Sequence, residues 1–360
     1  MKDSPYELAL SLREKLHGIP EASGREVKTK AALMEFLSGF GLELICHEKW
    51  FAAAHREPGA KQSIAFRADM DAVTGTDGKP YHGCGHDGHC SVMAALAAST
   101  AGKRLGKNLF FLFQHAEETG EGAKECLCLF EEEHIDAIYG FHNCPGFPAG
   151  EVLILKDTFA CASKGITLQF SGTQTHAAYP ENGNNPIFPM SAFFNRWDAL
   201  TESAQYQGLV LATPVCFQAG TPAFGVAAGR GQICLTLRAW YDADLQKLER
   251  AVLDSAAALA AKAGIGFSWQ EQDVFPATRN DPGLLAGCEK AAKEAGLSVS
   301  CPSEPFRWSE DFGWYGSKVP ALLLGIGAGE NAPGLHTPQY CWNNAVTEAA
   351  LKLFGTIIIR

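Results

Sequence analysis

Three of the eleven histidines fall within ten residues, Tyr81-His-Gly-Cys-Gly-His-Asp-Gly-His-Cys90. Cys84 and His86 put a thiolate and an imidazole one residue apart, and the glycines around them let the backbone bend until both face one ion. A second cluster, Gln114-His-Ala-Glu-Glu118, carries two adjacent acids. Neighbouring side chains at a strand end point different ways, so one glutamate can bind a metal while the other meets a water. Metal-assisted hydrolysis needs that division between a ligand and a general base. His142, in Phe141-His-Asn-Cys-Pro145, and His336, in Gly334-Leu-His-Thr-Pro338, add two imidazoles. Alone, a Glu-Glu pair is more often a solvated helix start and a single histidine a structural residue. Imidazole, thiolate and carboxylate together describe a dinuclear metal site.

Such groups must be brought together by strand ends. The alternation of elements supplies them: helix from Ser4-Pro5, helix over 25–38, strand 63–66 running into Arg67-Ala-Asp-Met-Asp71, helix 91–99, strand 108–113, helix 121–130 and strand 135–141. Ser4 with Glu7 makes a capping box around Pro5. This order predicts an α/β layer with a mainly parallel sheet, whose ligand sites lie at strand C-terminal ends. Residues 165–170 and 232–238 alternate apolar and polar, as half-solvated antiparallel strands do, with helical segments over 186–203 and 243–261. We therefore expect an inserted α+β domain at 165–272, leaving 1–164 and 273–360 as one discontinuous catalytic domain. Its closing elements are a helix from Asp281-Pro282, a strand at 321–324 and a helix at 344–354.

The 360 residues carry 46% hydrophobic and 19% charged side chains, which is globular composition, and suit about two domains. A net charge of −10 without basic runs argues against nucleic-acid binding. Apolar stretches are shorter than the ~20 residues of a membrane span, and MKDSPYELAL lacks the pattern of a signal peptide, so a cytoplasmic protein is expected. The twelve cysteines are scattered singly, and Cys216, Cys234 and Cys288 sit among apolar neighbours as buried reduced thiols would. Cys126 and Cys128 form C-x-C, which on a helix points to different faces and argues against a shared ion.

Six motifs in order, Arg67-Ala-Asp-Met-Asp-Ala-Val73, His82-Gly-Cys-Gly-His-Asp-Gly-His89, Gln114-His-Ala-Glu-Glu118, Thr175-His-Ala-Ala-Tyr-Pro180, Ser309-Glu-Asp-Phe312 and Leu335-His-Thr-Pro338, resemble the dinuclear-metal amidohydrolases of the hippurate hydrolase, N-acyl-amino-acid amidohydrolase and auxin-conjugate hydrolase type. The resemblance covers nearly the whole chain from Leu16-His-Gly-Ile-Pro-Glu21 onward. It implies a zinc-peptidase-like catalytic domain interrupted by a ferredoxin-like lid that also forms a homodimer. It further implies two divalent ions per subunit (Zn, Mn, Co or Ni), held by Cys84, His86, Glu118, His142 and His336. Glu117 would be the general base and later the proton donor to the leaving amine, Asp71 would orient a ligand imidazole, and His176 would stabilise the oxyanion, often across the dimer. The lid would close about hinges near 163–165 and 272–276.

Departures from the family pattern concern the substrate. Gly225, in Gly220-Thr-Pro-Ala-Phe-Gly-Val-Ala-Ala-Gly229, stands where the family has an asparagine, the loop between Asp71 and His82 is short, and His115 and Asn143-Cys144 replace apolar residues. Arg238 matches a family arginine, either an anion contact or a charge on a strand face. The expected reaction is hydrolysis of the amide of a small N-acyl amino acid or dipeptide-like conjugate. The alternatives are hydrolytic deamination on the same site and a catalytically silent metal-binding relative.

Overall fold

The strand Ser63–Asp69 is buried at every position, and Asn108–Gln114, Ala137–Pro145 and Ala321–Gly329 are buried over nearly their whole lengths. Strands covered on both faces read as continuous apolar runs such as Leu109-Phe-Phe-Leu-Phe113. In the computed structural model, which describes residues 4–360, these four strands pair in parallel at the centre of an eight-stranded sheet. The order is Glu43–Cys46, Phe51–His55, Asn108–Gln114, Ser63–Asp69, Ala137–Pro145, Ala321–Gly329, Val152–Leu153, Val299–Ser300. Antiparallel partners flank the parallel centre on both sides. The helices Pro5–His17, Val27–Ser38, His86–Thr100, Pro282–Glu294 and Asn344–Ile359 bury their apolar stripes in the same core. Ser4 and Glu7 close the first helix as a capping box, with Ser4 N–H donating to the Glu7 carboxylate at 2.8 Å and Glu7 N–H to Ser4 Oγ at 3.3 Å.

These elements form one of two units, comprising residues up to Phe159, Thr278–Pro305 and Glu310–Arg360. The second unit is Ala160–Ala277 with Phe306–Ser309, a wider span than 165–272. Its strands run further than the alternating segments at 165–170 and 232–238, and the sheet is ordered Val210–Ala219, Arg230–Ala239, Ala162–Ser171, Gly266–Phe275, antiparallel throughout. One face packs Ile166, Leu168, Phe170, Ile233, Leu235 and Leu237 under the helices Ile187–Phe194 and Asp242–Lys262. A β-bulge falls between Ser163 and Gly165 opposite Gln272, in the region of the expected hinges.

Several elements differ from the sequence expectations. The helix expected at 91–99 begins at His86, the strand expected at 135–141 runs Ala137–Pro145 and so contains His142, and the helix expected at 121–130 is split into Gly122–Cys126 and Cys128–Glu132. Polar residues gathered in a buried site break the apolar periodicity and so look like loop to a sequence argument. Cys216 and Cys234 are half-exposed rather than buried, because they lie off the helix-covered face, whereas Cys288 is buried. The described cysteines are all free thiols. Among the described residues no helix is long and apolar enough to cross a membrane.

Candidate metal centre

Side chains along a strand alternate, so Arg67 and Asp69 share a face at the C-terminal end of Ser63–Asp69. Both are buried, and the guanidinium contacts Asp69 at 2.7 Å and Glu310 and Asp311 at 2.8 Å each. Gln114, ending the neighbouring strand, accepts from Arg67 Nε at 2.9 Å and donates to Asp311 at 2.7 Å. This polar floor fixes the strand ends from which the motifs depart.

The His86–Thr100 helix begins one residue after Gly85, whose φ of 94° is left-handed and whose Cβ, if present, would meet Tyr340 Oη at 2.5 Å. That tight start sets Cys84 and His86 beside Asp71. His86 Nδ1 lies 2.9 Å from the Asp71 carbonyl and 3.2 Å from its carboxylate. Both partners only accept, so Nδ1 carries a proton, and Nε2 is the ring position left to face the cluster. Asp71 also accepts from Ser23 Oγ at 2.7 Å and from Glu118 N–H at 3.0 Å, tying the two motifs together. After Gln114 the chain turns at Ala116, with φ 48°, a backbone strain that redirects Glu117 and Glu118. His336 has φ 61°; its N–H donates to the Gly83 carbonyl at 2.8 Å, and its carbonyl accepts from Tyr81 Oη at 2.7 Å.

Ligating atoms of Cys84, His86 and His142 lie within 4.8 Å of one another, as do those of Cys84, Glu118 and His336, and those of His86, Glu117 and Glu118. Cys84 Sγ is 3.5 Å from His142 Nε2, and Glu118 Oε1 is 3.4 Å from His336 Nε2. His142 Nδ1 donates to the Asn143 carbonyl at 2.9 Å, which leaves its Nε2 facing the thiol.

Two buried atoms test whether these residues suit a divalent ion. His86 Nε2 and Glu118 Oε1 have no hydrogen-bond partner and stand 3.7 Å apart. Asp69 at 3.5 Å and Glu117 at 3.9 Å also face that nitrogen. Polar atoms left dry in this way are costly unless positive charge lies between them. Burial would lower the His86 pKa, but Asp69, Asp71 and Glu118 outweigh it and push it up to about 10. Burial, then the charges of Glu310, Glu118, Asp311 and Asp71, holds Glu117 well above the carboxylate range. Burial and Glu118, Glu117 and Asp69 raise the Cys84 thiol likewise. A crowd of anions around thiol and imidazole donors is chemistry that a borderline divalent cation satisfies.

The structure thus brings Cys84, His86, Glu118, His142, His336, Glu117 and Asp71 together in the first unit. His176 and Arg238 belong to the second. His176 is exposed, and its Nδ1 accepts from Ala178 N–H at 3.0 Å, so Nε2 carries the proton. Its neighbour Ala177 donates to the Gly225 carbonyl at 2.9 Å, and nothing lies within 4 Å of where a Gly225 Cβ would stand. Arg238 Nη1 donates to Ser309 Oγ at 2.8 Å and to the Arg307 carbonyl at 3.1 Å.

Sequence reasoning missed His89, Asp69 and Asn143 as a buried chain. His89 Nδ1 is 2.6 Å from Asp69, its Nε2 is 2.7 Å from Asn143 Oδ1, and Asn143 donates to Tyr340 Oη at 2.7 Å. The spacing of His86 and His89, nearly one helical turn, was the available signal.

Residues 65–360 match the model of Peptidase family M20/M25/M40. An N-acetyldiaminopimelate deacetylase of Lacticaseibacillus paracasei is 27% identical over 377 residues, covering 98% of this chain and 96% of that protein. A putative aminohydrolase from methicillin-resistant Staphylococcus aureus superposes with a TM-score of 0.88 at 24% identity, covering 98% of this chain and 96% of that one. The YXEP protein of Bacillus subtilis, a dinuclear metal-binding peptidase of the M20 family, gives 0.84 at 22% identity, covering 99% and 98%. With a thiol, imidazoles and paired glutamates gathered at the ends of a largely parallel sheet, and a family model matched over most of its length, the chain belongs to Peptidase family M20/M25/M40 and is a metal-dependent amidohydrolase.

Proposed function

We propose that the protein hydrolyses the amide bond of a small N-acyl amino acid or dipeptide-like conjugate, with Glu117 as the general base. The observation that carries this reading is the double membership of Cys84. It belongs to one cluster with His86 and His142 and to another with Glu118 and His336, while Glu117 stands 3.9 Å from His86. Cys84, His86, Glu118, His142 and His336 would hold two divalent ions, which would supply Lewis acidity and acidify water, and Zn²⁺, Mn²⁺, Co²⁺ and Ni²⁺ all suit such mixed donors.

The chain's own residues divide the remaining work. Glu117 accepts the proton of the attacking water and returns it to the leaving amine as the C–N bond breaks. Asp71 holds His86 in the tautomer that leaves Nε2 available. His176, with its proton on Nε2, donates to the carbonyl oxygen as negative charge develops there. Arg238, steadied by Ser309, is the candidate contact for a substrate carboxylate. The deacetylase relative makes acetylated amino acids the first substrates to try. A homodimer through the second unit accords with its exposed Phe188, Val215, Phe217 and Phe224; a monomer in sedimentation would set that part aside.

The test is release of amine from N-acetyl and N-benzoyl amino acids and dipeptides by protein stripped and reloaded with each metal. Turnover dependent on metal is expected. Silence across the panel with two metals bound would overturn the substrate class, and release of ammonia without a carboxylic acid would identify a deaminase. Failure to bind metal would overturn the chemistry.

A further inference from the structure

Another set of ligating side chains lies on elements that the reaction does not use. His47 sits in the turn between the strands Glu43–Cys46 and Phe51–His55, while Cys128 and Glu132 lie one turn apart on the helix Cys128–Glu132. The ligating atoms of these three residues fall within 4.8 Å of one another, and His47 Nε2 is 3.6 Å from Glu132 Oε2. Ligands on a tetrahedral zinc ion, at about 2.0–2.3 Å from the metal, stand roughly 3.3–3.8 Å apart. Small side-chain rotations therefore close the set.

We propose that His47, Cys128 and Glu132 form a second kind of metal site, taking one thiophilic divalent cation such as Zn²⁺, separate from the centre around Cys84. The imidazole is held in place: its ring stacks on Trp50 at 3.9 Å and 10° between planes, and His47 N–H donates to the Trp50 carbonyl at 3.0 Å. Lys30 Nζ donates to the His47 and Glu48 carbonyls and pins the turn to the helix Val27–Ser38. Of the run Glu131-Glu132-Glu133, Glu131 pairs with Lys318 and Glu133 with Arg56, each at 2.7 Å, which leaves Glu132 as the carboxylate that faces the imidazole. Cys126, the other half of C-x-C, is buried and takes no part, whereas Cys128 is half-exposed and reachable.

The donors are one imidazole nitrogen, one thiolate and one carboxylate oxygen, a set that favours Zn²⁺, Co²⁺ or Ni²⁺ over Mg²⁺ or Ca²⁺. As the metal–sulfur bond forms, the Cys128 thiol gives up its proton to solvent and its hydrogen bond to the Glu125 carbonyl, 3.6 Å in length, is lost. Water fills the fourth position, so the ion is exchangeable.

Two measurements test the site. After equilibrium dialysis against buffered Zn²⁺, the wild-type protein is expected to hold one zinc more per chain than Cys128→Ser or His47→Gln, with turnover the same in all three. Separately, Zn²⁺ is expected to slow iodoacetamide labelling of Cys128, followed by peptide mass spectrometry, by about tenfold or more in the wild type but not in His47→Gln, because a coordinated sulfur is a poor nucleophile. Equal zinc counts in the wild type and both variants would overturn the proposal, as would labelling of the wild type that ignores zinc.

Discussion

The strands Ser63–Asp69 and Ala162–Ser171 show how differently the two units use a β-sheet. In the first strand every side chain is buried, including Arg67 and Asp69. In the second, Ile166, Leu168 and Phe170 are buried while Thr167 and Gln169 between them are half-exposed. A sheet covered on both faces excludes water, so its polar groups must find one another, and they form a fixed lattice of charges around the strand ends. A sheet open on one face lets water satisfy its polar groups. Its functional candidates then stand on turns, as His176 does, and depend on local hydrogen bonds for orientation. The first arrangement suits ions that tolerate little misplacement, and the second suits contacts made with a substrate.

Substitutions in the two units should fail in different ways. Glu117→Gln keeps the shape but cannot take a proton, so turnover should fall about 10²–10⁴-fold with two metals retained; unchanged turnover would mean that Glu117 is not the base. Arg67→Met strands Asp69, Glu310 and Asp311 and should cost about 3–5 kcal/mol in denaturant unfolding. Thr236→Val, on the open face of the second unit, should stay within about 0.5 kcal/mol. Equal effects would erase the contrast between the sheets. His176→Ala should lower kcat about 10²–10³-fold while melting temperature and metal content stay put. A loss of metal on that change would place His176 among the ligands instead.

Smaller effects refine the picture. Gly225→Asn has open space around the new Cβ, so the fold should be unaffected and KM for N-acyl amino acids should fall up to about tenfold, the worth of one added hydrogen bond. Glu57 lies at the rim of the first unit, where it accepts from Gly106 N–H at 2.9 Å and faces His55 at 3.0 Å. The His55 contact and the Leu105 and Gly106 amides lower its pKa from 4.5 to about 2. A carboxyl depressed on folding adds stability that is present above 4.5 and disappears as pH falls through 2. Glu57→Gln should therefore lower the melting temperature slightly at pH 6, and the gap from wild type should narrow toward pH 2.

Part of the site is legible in the amino-acid sequence alone. His86 and Cys84 announce themselves because glycine, cysteine and histidine at that spacing make neither a good core nor a good hairpin. Glu117 and Glu118 stand out because two acids follow directly on an apolar strand. Asp69 and His89 do not stand out, because a buried acid reads as polar until its partner is known, and their contact spans twenty residues. The strands Glu43–Cys46 and Phe51–His55 escape a reading of the sequence as well: Phe51-Ala-Ala-Ala-His55 has no alternation and little β-propensity, and its pairing with Asn108–Gln114 supplies what the local sequence lacks.

The sequence by itself determined the reaction class, the candidate donors and the alternating order of elements, since these rest on residue types and short spacings that chemistry constrains directly. Only the tertiary structure decided which carboxylates surround His86, that Cys84 belongs to two clusters, and that Cys128 keeps company with His47 and Glu132 rather than with Cys126. Those relations join residues far apart along the chain, and what fixes them is the register of a buried sheet and the packing of a water-free interior, neither of which any local stretch of sequence encodes.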